Sequence, residues 1–395
     1  MLSDNHSKKM NMIQHVSDQF PRVLAIDLSK DYGGANSRIL TIMKHFSPHH
    51  IALAGLADSP VINKAIENGL SIHIVGSHKV DPLIFPRLVH IIRQFGYQVV
   101  DTQNIQSKFW GSMASSITGT ALVSTLNSWY MDEHRSNRIK GLFYTVMELL
   151  TNYRTDRYIT VSNIDRKSLI DSKINDNMVD IIPNAIDIEP KLIPGNPESL
   201  RLKFNFPPDA IVCTAVGRLV WAKGYHDFID AFSQVADQNS KIFGLIIGEG
   251  QLRDSLRDQV HKLGLQNRVL LPGYSERETA LSILKASDIF VLPSKHEGTP
   301  IALLEAAALG LPILATTCGG IPDVVTDGEQ AILVPVGNPS ALADGILKLC
   351  NDPIFAKSLG ENAQKKVLQL FDPNRQVQAI KRSYLMAWEH RLHRA

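Results

Sequence analysis

The segment HEGTPIALLE, residues 296–305, sets two carboxylates, Glu297 and Glu305, eight positions apart around Pro300. Glu297 falls among loop-forming residues, and Glu305 falls inside an apolar, helix-like run. Pro300 suits the first turn of a helix and Thr299 is a natural N-cap, so a helix is expected from about residue 300 through Gly310. Glu305 then sits in its second turn, with Glu297 in the loop ahead. Free backbone N–H groups around Gly298, Thr299, Pro300 and Ile301 would form an anion site between the two acids. A surface acid pair on an ordinary helix would carry the same letters, so the neighbouring residues must decide.

Two other segments bear on that choice. GRLVWAKG places Arg218 directly after a strand-like run, and Lys223 before Gly224 and a helix. A guanidinium fork and an ammonium at a strand end can neutralise a diphosphate, although isolated cations are more often solvated. SKDYGGANSRIL places Gly33 and Gly34 between a strand and a helix, where glycine lets backbone approach a ligand. A plain tight turn uses the same residues. The pair is not a GxGxxG fingerprint, which lowers the case for a dinucleotide oxidoreductase. Carboxylates accept from hydroxyls, while helix starts and Arg/Lys hold phosphates. Together they fit a ligand charged in the middle with hydroxyls at both ends, such as a nucleotide-diphosphate sugar. His296 adjoins Glu297 and either lines that pocket or is an exposed loop histidine. No metal-ligand cluster and no acidic DxD pattern at a strand end is present, so neither a metal nor another cofactor is expected.

These residues need elements to hold them. RVLAIDL (22–28), HIALAG (50–55), SIHIVG (71–76), YQVVDT (97–102), ALVSTL (121–126), RYITVS (157–162) and MVDIIP (178–183) read as strands apolar along their length, as in parallel sheets buried on both faces. Amphipathic runs such as 35–46 and 82–95 alternate with them. The pattern restarts with IVCTAVG (211–217), KIFGLIIG (241–248), RVLLPG (268–273), DIFVLPS (288–294), LPILATT (311–317) and AILVPV (331–336). The fold class expected is therefore α/β, with two Rossmann-like βαβ domains facing across a cleft. Residues 1–20 read as a flexible lead-in, 21–190 as the N-terminal βαβ domain, 191–209 as a proline-rich linker and 210–373 as the C-terminal βαβ domain. A helix over 374–395 is free to dock on either domain, the N-terminal one being preferred. In such sheets ligands bind beyond the carboxyl ends of the strands, which is where the cations and acids above occur.

The totals bound the function. The chain has 395 residues, 44% hydrophobic and 20% charged, in keeping with a well-cored protein of two or three domains. A formal net charge of +2 argues against nucleic acid as an obligatory partner. Three dispersed cysteines, Cys213, Cys318 and Cys350, form neither a disulfide framework nor a metal pattern. The first residues contain no apolar core of signal-peptide length, and the apolar run 302–315 is broken by Glu305, Gly310 and Pro312. A cytoplasmic protein is expected, with any membrane contact peripheral at the inner face. The basic and apolar stretch 136–154 either packs as a core helix with solvated ends or meets such a surface. Oligomeric state is not legible.

The glycine pair after the first strand, GRLVWAKG, PNAID (183–187), LIIGEGQLRDSL, LPGYS and the run from LPSKHEGTPIALLE to EQAILVP resemble the retaining glycosyltransferases of family four, which have the GT-B fold. The similarity spans the chain from about residue 22 and is most specific between 211 and 336. The two glutamates match that family's E-x7-E motif. The resemblance implies that Glu297 contacts the donor sugar, Glu305 the ribose, and Arg218 and Lys223 the diphosphate. Backbone near Thr299, Pro300 and Ile301 would assist, and Gly33 and Gly34 would approach donor phosphate or acceptor. It further implies metal-independent transfer from a nucleotide sugar, UDP favoured over GDP. The acceptor would be a glycan or lipid-linked hydroxyl, in polysaccharide or lipopolysaccharide biosynthesis. Two departures stand out. Asn127 occupies the place of a frequent histidine, with His134 nearby, and Ala185 replaces glycine in the PNGxD turn. Other implied readings are a nucleotide-sugar epimerase, a sugar phosphorylase, or a non-catalytic nucleotide-sugar-binding protein.

Overall fold

A computed structural model describes residues 20–127, 147 and 151–394. Seven parallel strands form the first sheet: β1 Val23–Asp27, β2 Ile51–Leu56, β3 Ile72–Gly76, β4 Val99–Thr102, β5 Ala121–Leu126, β6 Arg157–Thr160 and β7 Val179–Ile181. Their order is β3-β2-β1-β4-β5-β6-β7. Helices α1 Gly34–Lys44, α2 Pro60–Glu67, α3 Ile84–Phe95, α4 Ile105–Thr118 and α5 Asn163–Asp171 connect or flank them. Every residue of β1, β2, β4 and β5 is buried, because helices cover both faces.

The second sheet holds β8 Ile211–Val216, β9 Ile242–Ile247, β10 Val269–Gly273, β11 Ile289–Leu292, β12 Ile313–Thr316 and β13 Ile332–Val334, in the order β10-β9-β8-β11-β12-β13. Helix α6 Pro197–Lys203 precedes it. Helices α7 Tyr225–Ala236, α8 Arg253–Lys262, α9 Arg277–Ala286, α10 Ile301–Ala308, α11 Ile321–Val324 and α12 Pro339–Asn351 follow in turn. Each sheet reverses its strand order once, between β1 and β4 and between β8 and β11. Those reversals open the crevices in which ligands of doubly wound sheets bind.

The stretch 191–209 contains α6, whose Leu200, with Phe206, is buried against Val212, Phe243 and Leu245 of the second sheet. Arg201 pins it by donating to Ala210 O at 2.7 Å and to Asp288 Oδ2 at 2.9 Å. At the other end of the second domain, α13 Pro353–Leu370 leads into α14 Pro373–Arg394, which returns to the first domain. Val377, Ile380, Tyr384 and Ala387 of α14 join the core around Ile39, Phe46 and Val123. The two crossings are tied together, since Ile186 N donates to Phe371 O at 2.9 Å and Gln376 Nε2 to Pro183 O at 2.6 Å.

Candidate active site in the interdomain cleft

Glu297 and Lys223 come from loops after the two central strands of the second sheet. Strands β8 and β11 are direct neighbours, with Cys213 opposite Ile289. Lys223 ends a short 3-10 turn, Trp221–Lys223, and Gly224 follows it in the left-handed region at φ 65°. A Cβ at Gly224 would lie 1.9 Å from Pro293 O, so only glycine lets the two loops close together. Ala222 O then accepts from Lys295 N at 2.7 Å and His296 N at 3.2 Å. The result is an ion pair, Lys223 Nζ to Glu297 Oε1, at 2.5 Å, with Ser294 Oγ donating to the same oxygen at 2.6 Å. Ser294 is itself buried, and its carbonyl accepts from Thr316 Oγ1. Glu297 is therefore held on one oxygen, while Oε2 carries no hydrogen bond from the described residues.

The glutamate loop rests on a second glycine pair, Gly319 and Gly320. A Cβ at Gly319 would fall 1.8 Å from Glu297 O, and one at Gly320 2.4 Å from Gly298 O. Gly320 N donates to both carbonyls, at 3.2 and 3.1 Å. Beside it, Cys318 has its thiol pushed up to about 12 by burial, with the negative charge of Glu297 adding to the effect.

Helix α10 begins at Ile301, with Pro300 at φ −72°, ψ 120° as its boundary residue. Thr299 is therefore not the N-cap that the sequence suggests. Its hydroxyl instead donates across the cleft to Val161 O at 2.5 Å, and its carbonyl accepts from Asn184 Nδ2 at 2.6 Å. Helix start and domain bridge compete for this one side chain, and the bridge takes it. Pro300 lacks an N–H and can offer a ligand no amide; Ile301 and Ala302 supply the first free donors of the helix. The helix ends at Ala308, two residues before Gly310, which lies at φ 77°.

Glu305 is buried on α10, and its Oε1 accepts from Arg277 Nε of α9 at 2.8 Å. Burial raises its carboxyl above the ordinary value, and Arg277 offsets part of that shift. Arg218 stands at the exposed exit of β8 and makes no ion pair with any described residue. Across from it is the glycine loop of the first domain. A Cβ at Gly33 would lie 3.7 Å from Arg218 Nε, and one at Gly34 3.7 Å from Ile301 Cδ1. That loop is held from below: Gly33 N donates to Asn36 Oδ1 at 2.8 Å, and Asn36 Nδ2 to the buried Asp27 Oδ2 at 2.7 Å. Gly33 itself has extended backbone, and a Cβ there would make only ordinary contact with the guanidinium, so the glycine leaves open space beside Arg218.

Asn127 lies at the end of β5, donating from Nδ2 to Gln103 O at 3.2 Å. Its Oδ1 is buried without a hydrogen-bond partner among the described residues. Its carbonyl comes so close to Gly298 that a Cβ there would sit 2.3 Å away. Gly298 is thus a point of closest approach between the domains. Ala185 does not adopt positive φ, so the PNAID turn takes alanine without strain. His134 lies outside the described residues, as does most of 136–154. Among the described residues no cluster of three or more His, Cys, Asp or Glu is placed to hold a metal.

Arg218, Lys223, Glu297, Glu305 and the loop 298–301 thus gather at the carboxyl ends of β8 and β11, with Gly33, Gly34 and Asn127 facing them from the first domain. Sequence reasoning did not assign Arg277, Ser294 or the Gly319–Gly320 pair. The available signals were a serine three residues before the first glutamate and a second GG after the next strand.

Comparison with known proteins bears on both domains. The model for glycosyltransferase family 4 matches residues 32–190, and that for glycosyl transferases group 1 matches residues 197–366. The chain is 28% identical over 306 residues to the UDP-Gal:alpha-D-GlcNAc-diphosphoundecaprenol alpha-1,3-galactosyltransferase of Escherichia coli, covering 75% of this chain and 78% of that one. It is 31% identical over 159 residues to the 2-deoxystreptamine N-acetyl-D-glucosaminyltransferase of Niallia circulans, covering 40% of this chain and 41% of that one. Among solved structures, Anabaena Alr3699/HepE in complex with UDP-glucose superposes with a TM-score of 0.81 at 22% identity, covering 91% of this chain and 98% of that one. With both domain models matched in order along two doubly wound sheets, the chain belongs to the family 4, group 1 glycosyltransferases of GT-B fold.

Proposed function

We propose that the protein transfers a sugar from a UDP-sugar to a hydroxyl of a glycan or lipid-linked acceptor, with retention of anomeric configuration and without a metal, at the cytoplasmic face of a membrane. The observation that carries this reading is the convergence of Lys223, Glu297 and Arg218, which has no ion pair among the described residues, at the strand exits of β8 and β11, opposite the glycine loop. In this reading Arg218 and Lys223 lie against the diphosphate and stabilise the charge it gains as the glycosidic oxygen–carbon bond breaks. The free oxygen of Glu297 accepts from sugar hydroxyls and Glu305 from the ribose. The acceptor hydroxyl attacks the anomeric carbon on the face the diphosphate leaves, and its proton passes to a leaving phosphate oxygen. Closure over the glycine loop keeps water out. The longer of the two sequence matches, to an enzyme named for a UDP-Gal donor and a diphosphoundecaprenol-linked acceptor, supports UDP and a lipid-linked acceptor.

A thermal-shift screen of UDP- and GDP-sugars, followed by transfer assays with and without acceptor, tests it. A UDP-sugar should raise the melting temperature most, and EDTA should leave turnover unchanged. NMR of the product linkage should show the donor's anomeric configuration. Epimerised sugar from donor alone, or donor binding without transfer over a broad acceptor panel, would overturn the reading.

A further inference from the structure

Tyr225 opens helix α7 directly after Gly224, and its side chain is buried beneath the candidate site. The residue is 1% exposed, and its hydroxyl has no hydrogen-bond partner among the described residues. A core phenol ordinarily finds a partner, because a desolvated hydroxyl left unpaired costs the folded state. Phe228 and Phe232, on the same buried face of α7, fill their places without any hydroxyl. Packing alone therefore gives no reason for tyrosine at position 225. Burial raises this phenol's pKa, with the charge of Glu297 adding to the effect, so the hydroxyl keeps its proton and stays a donor.

Gly217 shows where that donor lies. The chain leaves β8 through this residue, and a Cβ on it would meet Tyr225 OH at 2.9 Å and Lys223 Cε at 3.6 Å. Phenol oxygen and lysine chain thus close around one point at the strand exit, and Lys223 Nζ is 2.5 Å from Glu297 Oε1. Neighbouring groups are already engaged. Ser294 Oγ donates to that same glutamate oxygen, and Lys295, a second cation of these loops, pairs with Asp227 at 3.1 Å. In the transferase reading Lys223 serves two anions, Glu297 and the diphosphate. A diphosphate at the strand exits competes for the ammonium, and a carboxylate as buried as Glu297, 7% exposed, loses a partner only at a cost.

We propose that Tyr225 is a positioning residue for Glu297: its buried hydroxyl donates to the carboxylate when Lys223 turns to the donor diphosphate, and keeps the free oxygen aimed at the sugar. The proposal rests on the transferase reading and concerns the sugar half of the donor. The test is Tyr225→Phe, alone and combined with Glu297→Gln, in calorimetry and transfer assays with UDP and with the UDP-sugar that the wild type transfers. Tyr225→Phe should melt at the wild-type temperature or above it, since an unpaired hydroxyl is all that is lost, and should bind UDP within about twofold of wild type. Its affinity for the UDP-sugar and its kcat/KM should each fall about tenfold, the size of a direct coupling between neighbouring side chains. Added to Glu297→Gln, the same substitution should change UDP-sugar affinity by less than about twofold, because the group it positions is already altered. A packing role predicts the reverse: a lower melting temperature, with UDP and UDP-sugar binding weakened alike. That result, a variant with wild-type sugar affinity and turnover, or a full Tyr225→Phe effect in the Glu297→Gln background would each overturn the proposal. A wild type that transfers no sugar would sink the transferase reading as well, whereas a wild type that transfers beside an indifferent Phe variant sinks the proposal alone.

Discussion

At the scale of single residues, the site separates cations by their partners. Lys223 is committed to Glu297, whereas Arg218 faces the glycine loop without an ion pair among the described residues. Arg218→Ala should therefore remove transition-state stabilisation while leaving the fold untouched, lowering kcat by about 10²–10³-fold. Lys223→Ala loses the same charge and also frees Glu297, so its KM for donor should rise as well. Steady-state kinetics separate the two; equal kcat and KM changes would refute the distinction. Glu305 gives a pH signature. Burial holds its carboxyl above the ordinary 4.5, so the folded protein binds that proton more tightly than the unfolded chain does. Donor affinity should weaken as pH falls through this raised value, starting above the usual glutamate range, while Glu305→Gln should give a flat profile. The sign for stability is opposite. Ionising Glu305 costs the folded state stability as pH rises through the same window, so any thermal advantage of the Gln variant should be largest at neutral pH and shrink in acid. Calorimetric UDP titrations and melts across pH 4–8 would check both.

At the scale of elements, the sequence was most legible where one physical requirement acts alone. Strands covered by helices are mostly apolar, and all thirteen emerge at the expected places. Reading failed where requirements compete. Thr299 has the letters of an N-cap, but its hydroxyl is taken by Val161 O across the cleft, a contact no local pattern encodes. The Gly319–Gly320 pair acts on Glu297 and Gly298 from beyond the next strand, so local spacing could not assign it, whereas Ser294 lies only three residues before the glutamate it donates to. Helix α14 shows the same limit: the helix itself was legible, but its polar anchor was not. Tyr384 OH donates to the buried Asp101 Oδ2 at 2.7 Å, Gln103 Nε2 donates to the same oxygen, and Thr125 Oγ1 donates to Oδ1. Tyr384→Phe keeps the packing and removes one donor from a desolvated carboxylate, at a cost on the order of 1–3 kcal/mol. The melting temperature should fall by a few degrees. A shift of less than one degree would mean that apolar contacts alone hold the returning helix.

At the scale of the whole molecule, the proposed transfer requires the two domains to approach, and Gly298 is a point where they do. Its missing side chain leaves room for Asn127 O; a Cβ would stand 2.3 Å from that oxygen and 2.7 Å from Val161 Cγ2. Neither neighbour is a flexible chain end, since one is backbone and the other belongs to a buried valine, so the domains must part to admit a methyl group. Thr299 and Asn184 would lose their cross-cleft hydrogen bonds in the same movement. Arg218, Lys223, Glu297 and Glu305, by contrast, all lie on the second domain, and the pairs Lys223–Glu297 and Arg277–Glu305 persist when the domains separate. Gly298→Ala should therefore change UDP affinity by less than about threefold and yet lower kcat more than about tenfold, because closure and not donor capture is impaired. Solution scattering should show a larger radius of gyration that donor no longer reduces to the wild-type value. A variant with normal turnover and an unchanged radius would show that this contact does not govern closure. A variant that loses UDP binding as well would place donor capture itself under the control of the first domain.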